Sequence, residues 1–361
     1  MLIHLVAGAR PNYMKVFPIW KALRELQPEW RVRLIHTGQH YDPVMSDVFF
    51  EELGLPSPDF YLGVGSGSHA VQTAKVMLEL DALFNREQPD LLIVVGDVNS
   101  TLAATLVAVK RGIRVAHVEA GLRSGDRSMP EEVNRIMTDA VADILFTSCA
   151  DGERNLLAEG VPSERIHFVG NVMIDSLVQM LPLTHNRDIL SRLGVSPGEY
   201  IVVTLHRPTN VDDASALQKA LSVLGALSEE LPILFPVHPR TRKIIEKHGL
   251  PSLFPGVKLL EPLGYLDFLR LESAAALVIT DSGGVQEETS FLRIRCLTLR
   301  PNTERPVTIA EGTNSLTTLN GLLCDAQTAL ASPQACRSSI ALWDGLAATR
   351  IVEHISNLYG G

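Results

Sequence analysis

Residues 91–97 read LLIVVGD, and residues 114–125 read RVAHVEAGLRSG. Both are short apolar runs that barely alternate, and each stops at a carboxylate, Asp97 in the first and Glu119 in the second. Runs without alternation predict strands buried on both faces, hence a parallel sheet sandwiched by helices. In such sheets ligands bind at the carboxyl ends of the strands. MPEEVNR, residues 129–135, then opens a helix with Glu131. Two acids at strand ends and a third on a helix start predict acid/base equipment around a small polar substrate. Helix capping is the competing reading. It suits Asp97, which leads into NSTLAATL, and suits Glu119 poorly, because AGLRSG follows instead of a helix start.

The same pattern extends outward in both directions. In the first half the strand-like runs are LIHLVAG, VRLIHTG, LLIVVGD, RVAHVEA, DILFTS and IHFVGN, with helices predicted over 12–26, 99–110, 130–141 and 150–159. YIVVTLH, ILFPVH, VKLLEP, ALVITDSG and IRCLTLR repeat the theme in the second half. Two doubly wound, Rossmann-like α/β domains facing a cleft follow from this alternation. The break falls in 171–194, where helix-like stretches mix with breakers and no strand pattern appears. The stretch 342–360 reads as an amphipathic helix with an apolar stripe of Leu342, Leu346, Ile351 and Ile355, able to pack on either domain.

Composition narrows the class. The chain has 361 residues, comfortable for two domains, with 46% hydrophobic residues. A net charge of -9 argues against a nucleic-acid partner while leaving room for a local cationic pocket. No run approaches the length needed to span a bilayer, and the N-terminus reads as a strand instead of a signal peptide. Cys149, Cys296, Cys324 and Cys336 are scattered without a CxxC pair, which predicts reduced thiols and a cytoplasmic protein.

Further motifs carry chemistry. GARPNYMK, residues 8–15, sets Gly8 at a close turn, Arg10 at a strand end, Asn12 as a helix cap and Lys15 one turn into the helix. It is not a GxGxxG sequence, so a dinucleotide site there has no support. TDSGGVQEE, residues 280–288, predicts a phosphate-type turn: Gly283 and Gly284 admit a close approach to backbone N–H groups and Ser282 adds a hydroxyl. Glu287 or Glu288 is placed to accept from ribose hydroxyls, and capping by Asp281 is the bland alternative. His206-Arg207 and His238-Pro239-Arg240 end consecutive strands and put cations where a diphosphate would enter. Arg300, Glu304 and Arg305 add a charged loop before Gly312. No HExxH, Cys cluster or Asp-x-Asp pair suggests a metal, and no GxSxG suggests a serine nucleophile. Carboxylates in one half and His, Arg and a phosphate-type turn in the other suit a nucleotide-linked sugar.

GARPNYMK, TGQHYD, GDVNSTLA, HVEAGLRSGD, PEEVNR, VGNVMID, HRPTN, PVHPR, TDSGGVQEE and TERP occur in that order along nearly the whole chain. In these segments it resembles the non-hydrolysing UDP-N-acetylglucosamine 2-epimerases. The resemblance implies a GT-B-like fold with domains 1–171 and 172–343 and a C-terminal helix, 344–361, packing back on the first. It implies a cytoplasmic homodimer with no cofactor, no metal and no membrane or nucleic-acid partner, whose partner molecule is a UDP-sugar. The implied reaction interconverts UDP-GlcNAc and UDP-ManNAc by anti elimination of UDP and re-addition through 2-acetamidoglucal, for surface polysaccharide precursor synthesis.

Catalytic roles carry over by resemblance to Asp97, Glu119, Glu131 and His206, with Lys15 in support. Substrate contacts carry over to Arg10, Arg135, Arg207, His238, Ser282, Gly283, Gly284 and Glu288. There are departures: Pro208-Thr209 stand where many members read Arg-Glu, and Val307 replaces an acid after TERP. Gln39-His40 is followed by Tyr41-Asp42, and 62–73 lacks the Arg found in substrate-activated members, so weak or absent allosteric activation is expected. QHYD and GVGSGSH also resemble a branch acting on UDP-2,3-diacetamido-2,3-dideoxyglucuronate. A GT-B glycosyltransferase and a hydrolytic 2-epimerase are the competing activities on this architecture.

Overall fold

A computed structural model describes residues 1–8, 10–38, 54, 56–237, 239–248, 256–332 and 339–359. Thirteen strands among these residues form two sheets. The first contains β1 (Leu2–Ala7), β2 (Arg31–His36), β3 (Phe60–Tyr61), β4 (Leu91–Val95), β5 (Arg114–Ala120), β6 (Ile144–Thr147) and β7 (Ile166–Phe168). Its spatial order is β3-β2-β1-β4-β5-β6-β7, and every pairing is parallel. The second contains β8 (Ile201–Thr204), β9 (Ile233–Pro236), β10 (Val257–Leu260), β11 (Leu277–Thr280), β12 (Cys296–Leu299) and β13 (Asn314–Thr317). Its order is β10-β9-β8-β11-β12-β13, again all parallel.

In both sheets the strand order reverses about the first strand, so a topological switch point lies between β1 and β4 in one and between β8 and β11 in the other. These are doubly wound, Rossmann-like sheets. All five residues of β4 are buried, as are all four of β11, because helices cover both faces. In the second unit the helices make a separate apolar cluster on each face, one around Leu221, Leu224 and Phe235, the other around Tyr200, Leu234 and Leu271.

The chain divides into two compact units, residues 1–179 with 341–361, and residues 180–340. The helix Ala347–Tyr359 belongs to the first unit. Asp175 receives it, accepting from Ala347 N at 3.1 Å and Ala348 N at 2.7 Å, a carboxylate set against a helix N-terminus. Trp343 Nε1 donates to Ser148 O at 2.9 Å just before it. The expected apolar stripe needs correction. Leu342 and Leu346 precede the helix, and Leu346 is exposed, so Ala348, Ile351, Val352 and Ile355 form the buried face.

Helix Arg10–Leu26 holds Pro18 in its interior, which removes the N–H that Met14 O would ordinarily accept. The Ser176 hydroxyl donates to Met14 O instead. Asn12 lies inside the first turn of this helix and is no cap; it accepts from Gly8 N and donates to Val95 O, tying the helix start to β4. None of the described helices is long and apolar enough to cross a membrane. Cys149 and Cys296 are buried free thiols and Cys324 is an exposed one, while Cys336 lies outside the described residues.

Candidate active site

Each switch point carries its own set of groups. In the first unit, Gly8 follows β1, and a Cβ there would sit 2.8 Å from Ser100 Cβ, so only glycine admits this turn beside the helix Asn99–Lys110. Asp97 follows β4 but does not cap that helix: the capping position is Val98, and no side chain bonds there. Arg135 Nη1 donates to Asp97 Oδ2 at 2.5 Å, and Asn134 Nδ2 donates to Asp97 O at 2.8 Å.

Arg135 is almost fully buried, and its other donors go to Glu132 Oε2 at 2.7 and 3.1 Å. Glu132 in turn accepts from Ser124 N and Gly125 N. Burial alone would raise the Glu132 pKa; the backbone donors and Arg135 outweigh it and hold the carboxyl below its usual range. Arg135, one of the residues expected to contact substrate, thus has its guanidinium bonded to both Asp97 and Glu132. Glu131 opens helix Pro130–Val141, half-buried, four residues before Arg135 and so on the same helix face.

Glu119 lies within β5 with φ 70°, and the register of β5 against β6 shifts between Val118 and Ala120. A left-handed non-glycine residue in a strand costs about 1–3 kcal/mol and persists where its surroundings over-determine it. Glu119 is 4% exposed; Oε2 accepts from Lys15 Nζ, and Oε1 is buried with no hydrogen-bond partner among the described residues. A buried acceptor left in this way is unfavourable unless water or a ligand satisfies it.

Beneath these residues lies a layer that the motif reading did not single out. His117 on β5 is fully buried, with Nδ1 2.6 Å from Asp139 Oδ1 and Nε2 2.8 Å from Gly96 O. Asp139 also accepts from Gly121 N at 3.0 Å and pairs with Arg123 Nη1 at 2.7 Å. Burial would raise the Asp139 pKa, but His117 and Arg123 keep it low.

In the second unit, Asp281 follows β11 and is fully buried. Its carboxylate accepts from His206 N at 3.1 Å, Arg207 N at 2.9 Å and Asn210 Nδ2 at 2.9 Å, and pairs with His206 Nδ1 at 2.8 Å. Asp281 is therefore the anchor of the β8 strand-end loop, not a helix cap. Burial would raise its pKa, and these partners hold it low. The His206 ring is 54% exposed, with Nδ1 taken by Asp281, which fixes the orientation of the ring. Arg207 Nε donates to Asp281 O at 3.2 Å. Pro208 opens the short helix Pro208–Val211, where a missing N–H costs nothing.

Ser282 precedes helix Gly283–Leu292, and its hydroxyl makes no capping bond. The N–H groups of that helix start are an anion-binding arrangement. A Cβ on Gly283 would lie 2.5 Å from Arg305 Nη1, so any larger residue there must displace the cation packed beneath the turn. Arg305 binds Glu287 and Glu304, each at 2.6 Å, and Arg300 binds Glu304 at 2.7 Å. That assigns the charged loop and Glu287 to a buried ion-pair network under the turn. Glu288 is 4% exposed and accepts from Tyr265 Oη at 2.8 Å. Its pKa is pushed above the usual carboxylate range by burial, and that of the adjacent, fully buried Glu272 by burial and by Glu288. His238, the side chain of Arg10 and residues 39–42 lie outside the described residues.

Two doubly wound, Rossmann-like units in one chain, each with charged groups at its strand ends, define the class of two-domain α/β proteins to which this chain belongs. Residues 21–356 match the family model for UDP-N-acetylglucosamine 2-epimerase. A UDP-N-acetylglucosamine 2-epimerase homolog of Methanococcus maripaludis is 41% identical, covering 99% of this chain and 100% of that one. The UDP-2,3-diacetamido-2,3-dideoxy-D-glucuronate 2-epimerase of Pseudomonas aeruginosa is 40% identical over 88% of each chain. Among solved structures, the Methanocaldococcus jannaschii UDP-GlcNAc 2-epimerase in complex with UDP-GlcNAc and UDP matches with TM-score 0.90 and 38% identity, over 99% of this chain and 100% of that chain. The chain belongs to the UDP-N-acetylglucosamine 2-epimerase family and is an isomerase of that family.

Proposed function

We propose that the protein interconverts UDP-GlcNAc and UDP-ManNAc by eliminating UDP and adding it back. The single observation that carries this reading is Glu119: a buried carboxylate at a left-handed strand end, one oxygen on Lys15 and the other without a partner among the described residues. A proton is removed from C2, its electron pair forms the C1=C2 bond, and the C1–O bond breaks as UDP leaves. Return of UDP to C1 with a proton delivered to the opposite face of C2 gives the epimer.

Two acid/base groups are needed, one for each face, together with stabilisation of the leaving diphosphate. Asp97 and Glu131 fit the proton transfers, and Glu119 fits positioning of the sugar or a proton shuttle, held by Lys15. His206, oriented by Asp281, fits stabilisation of departing UDP. Arg207 and the Ser282-Gly283-Gly284 turn suit the diphosphate, Glu288 suits the ribose, and Arg10 and His238 join them by family resemblance. Homodimerisation, a cytoplasmic location and a supply role for surface polysaccharide belong to the same reading.

Incubation with UDP-GlcNAc in D2O tests it: deuterium at C2 and a UDP-ManNAc signal are expected by NMR, and absence of both overturns the assignment. The 40% identity to the diacetamido-glucuronate epimerase supports a second reading with the same chemistry on a sugar bearing an extra carboxylate. Turnover of that sugar alone would select it.

A further inference from the structure

The acid/base reading leaves His117 without a task, although its surroundings are not those of a histidine filling a core. We propose that His117 is a positioning residue that clamps the two strand-end turns bearing Asp97 and Glu119 into one rigid unit. The catalytic consequence rests on the epimerase reading, and the clamp itself does not.

Gly96 O belongs to the peptide whose nitrogen is that of Asp97, so the 2.8 Å bond to His117 Nε2 fixes the plane from which Asp97 departs. Gly96 N donates to Val118 O at 3.0 Å, in the peptide leading into Glu119. On the other side Asp139 holds Gly121 N, two residues beyond Glu119, with its second oxygen. The left-handed Glu119 is therefore gripped before and after, and the Asp97 peptide is gripped by the same ring.

A carbonyl only accepts, so Nε2 carries a proton. Gly121 N and Arg123 both donate to Asp139 Oδ2, leaving Oδ1 to the Nδ1 side of the ring, so His117 bridges Asp139 and Gly96 O. An amide in its place keeps one of these two bonds. Displacement of a reacting group by about 1 Å costs on the order of a hundredfold in rate, so the clamp has a kinetic signature.

His117→Asn and His117→Gln separate the two grips. The Asn amide can meet Asp139 but falls short of Gly96 O, whereas the Gln amide extends to the position of Nε2. His117→Asn is expected to lower kcat about a hundredfold with KM for the UDP-sugar within about threefold, and His117→Gln to regain about tenfold of that loss. Amide exchange in the segment 95–100 is expected to quicken about tenfold in His117→Asn and much less in His117→Gln. Should both variants fail to fold, Asp139→Asn, close to isosteric, is expected to reproduce the kcat loss.

A folded His117→Asn protein with wild-type kcat and wild-type exchange overturns the proposal. So does equal behaviour of the Asn and Gln variants, which would mark a purely structural histidine. If the wild type epimerises neither sugar, the epimerase reading fails while the exchange measurement still decides the clamp.

Discussion

The two switch points share a strand order and differ in how they hold charge. In the first unit, cations bind the strand-end carboxylates directly: Lys15 on Glu119 and Arg135 on Asp97. In the second, the cations are packed beneath the turn, with Arg305 under Gly283, and the surface offers N–H groups, a hydroxyl and an oriented imidazole. One topology thus serves two electrostatic purposes. Side-chain ion pairs suit groups that must pass protons, whereas helix-start amides suit a ligand that arrives with its own negative charge.

The sharpest way to break this comparison is to neutralise the first unit's acids. Asp97→Asn, Glu119→Gln and Glu131→Gln are each expected to lower kcat by about a hundred- to ten-thousandfold while UDP affinity by calorimetry stays unchanged. Wild-type rates in all three would reject the division of labour. Next in size, Lys15→Met leaves the buried Glu119 carboxylate without its cation. A loss of about 3–5 kcal/mol in denaturant unfolding is expected, and one below about 1 kcal/mol would mean that the pair is screened. Asp281→Ala should act in the opposite unit, freeing the His206-Arg207 loop. UDP binding is expected to weaken at least about tenfold, with deuterium exchange into pre-bound sugar less affected.

A subtler test uses pH. His36, stacked between Tyr13 and Tyr61, and His167, beside His354, are both lowered by burial to about 4. A folded-state pKa below the unfolded 6.5 means stability that is present above 6.5 and lost as pH falls toward 4. Asp175, pushed up to about 6 by burial, offsets part of that loss. In the second unit Glu272 and Glu288 are raised, so their contribution has the reverse sign: present at low pH and lost as pH rises through the raised values. Acidification from 7 to 4.5 should loosen the first unit selectively. Trp20, Trp30 and Trp343 all lie in that unit, so tryptophan emission reads it alone. An earlier loss of amide protection in the second unit would contradict the assignment. The smallest effect expected is from Ser176→Ala, which leaves Met14 O without its donor and costs about 1 kcal/mol.

The strands were legible where helices cover both faces, because such runs cannot alternate. β13 escaped because Asn314 and Thr317 are polar inside it; Asn314 bonds Gln286 and Thr308 instead of joining the apolar core. β3 is two residues long, too short for any periodicity. At the site, strand-end acids were legible because their place follows from the runs they end. Their partners were not: Lys15 and Glu119 are 104 residues apart, and no local pattern pairs them. His117 was passed over because a lone histidine in an apolar strand ordinarily marks nothing more than a satisfied core position.

The return of the helix Ala347–Tyr359 to Asp175 makes the first unit discontinuous and the second an insertion within it. During synthesis residues 180–340 emerge and can close their own core before residues 341–359 exist. The first unit must wait for that stretch, and until it is made the apolar surface that Ile351, Val352 and Ile355 cover is a target for chaperones or for other nascent chains. The order of maturation along the ribosome therefore runs against the order of the sequence, with the inserted unit able to close before the unit that contains the N-terminus.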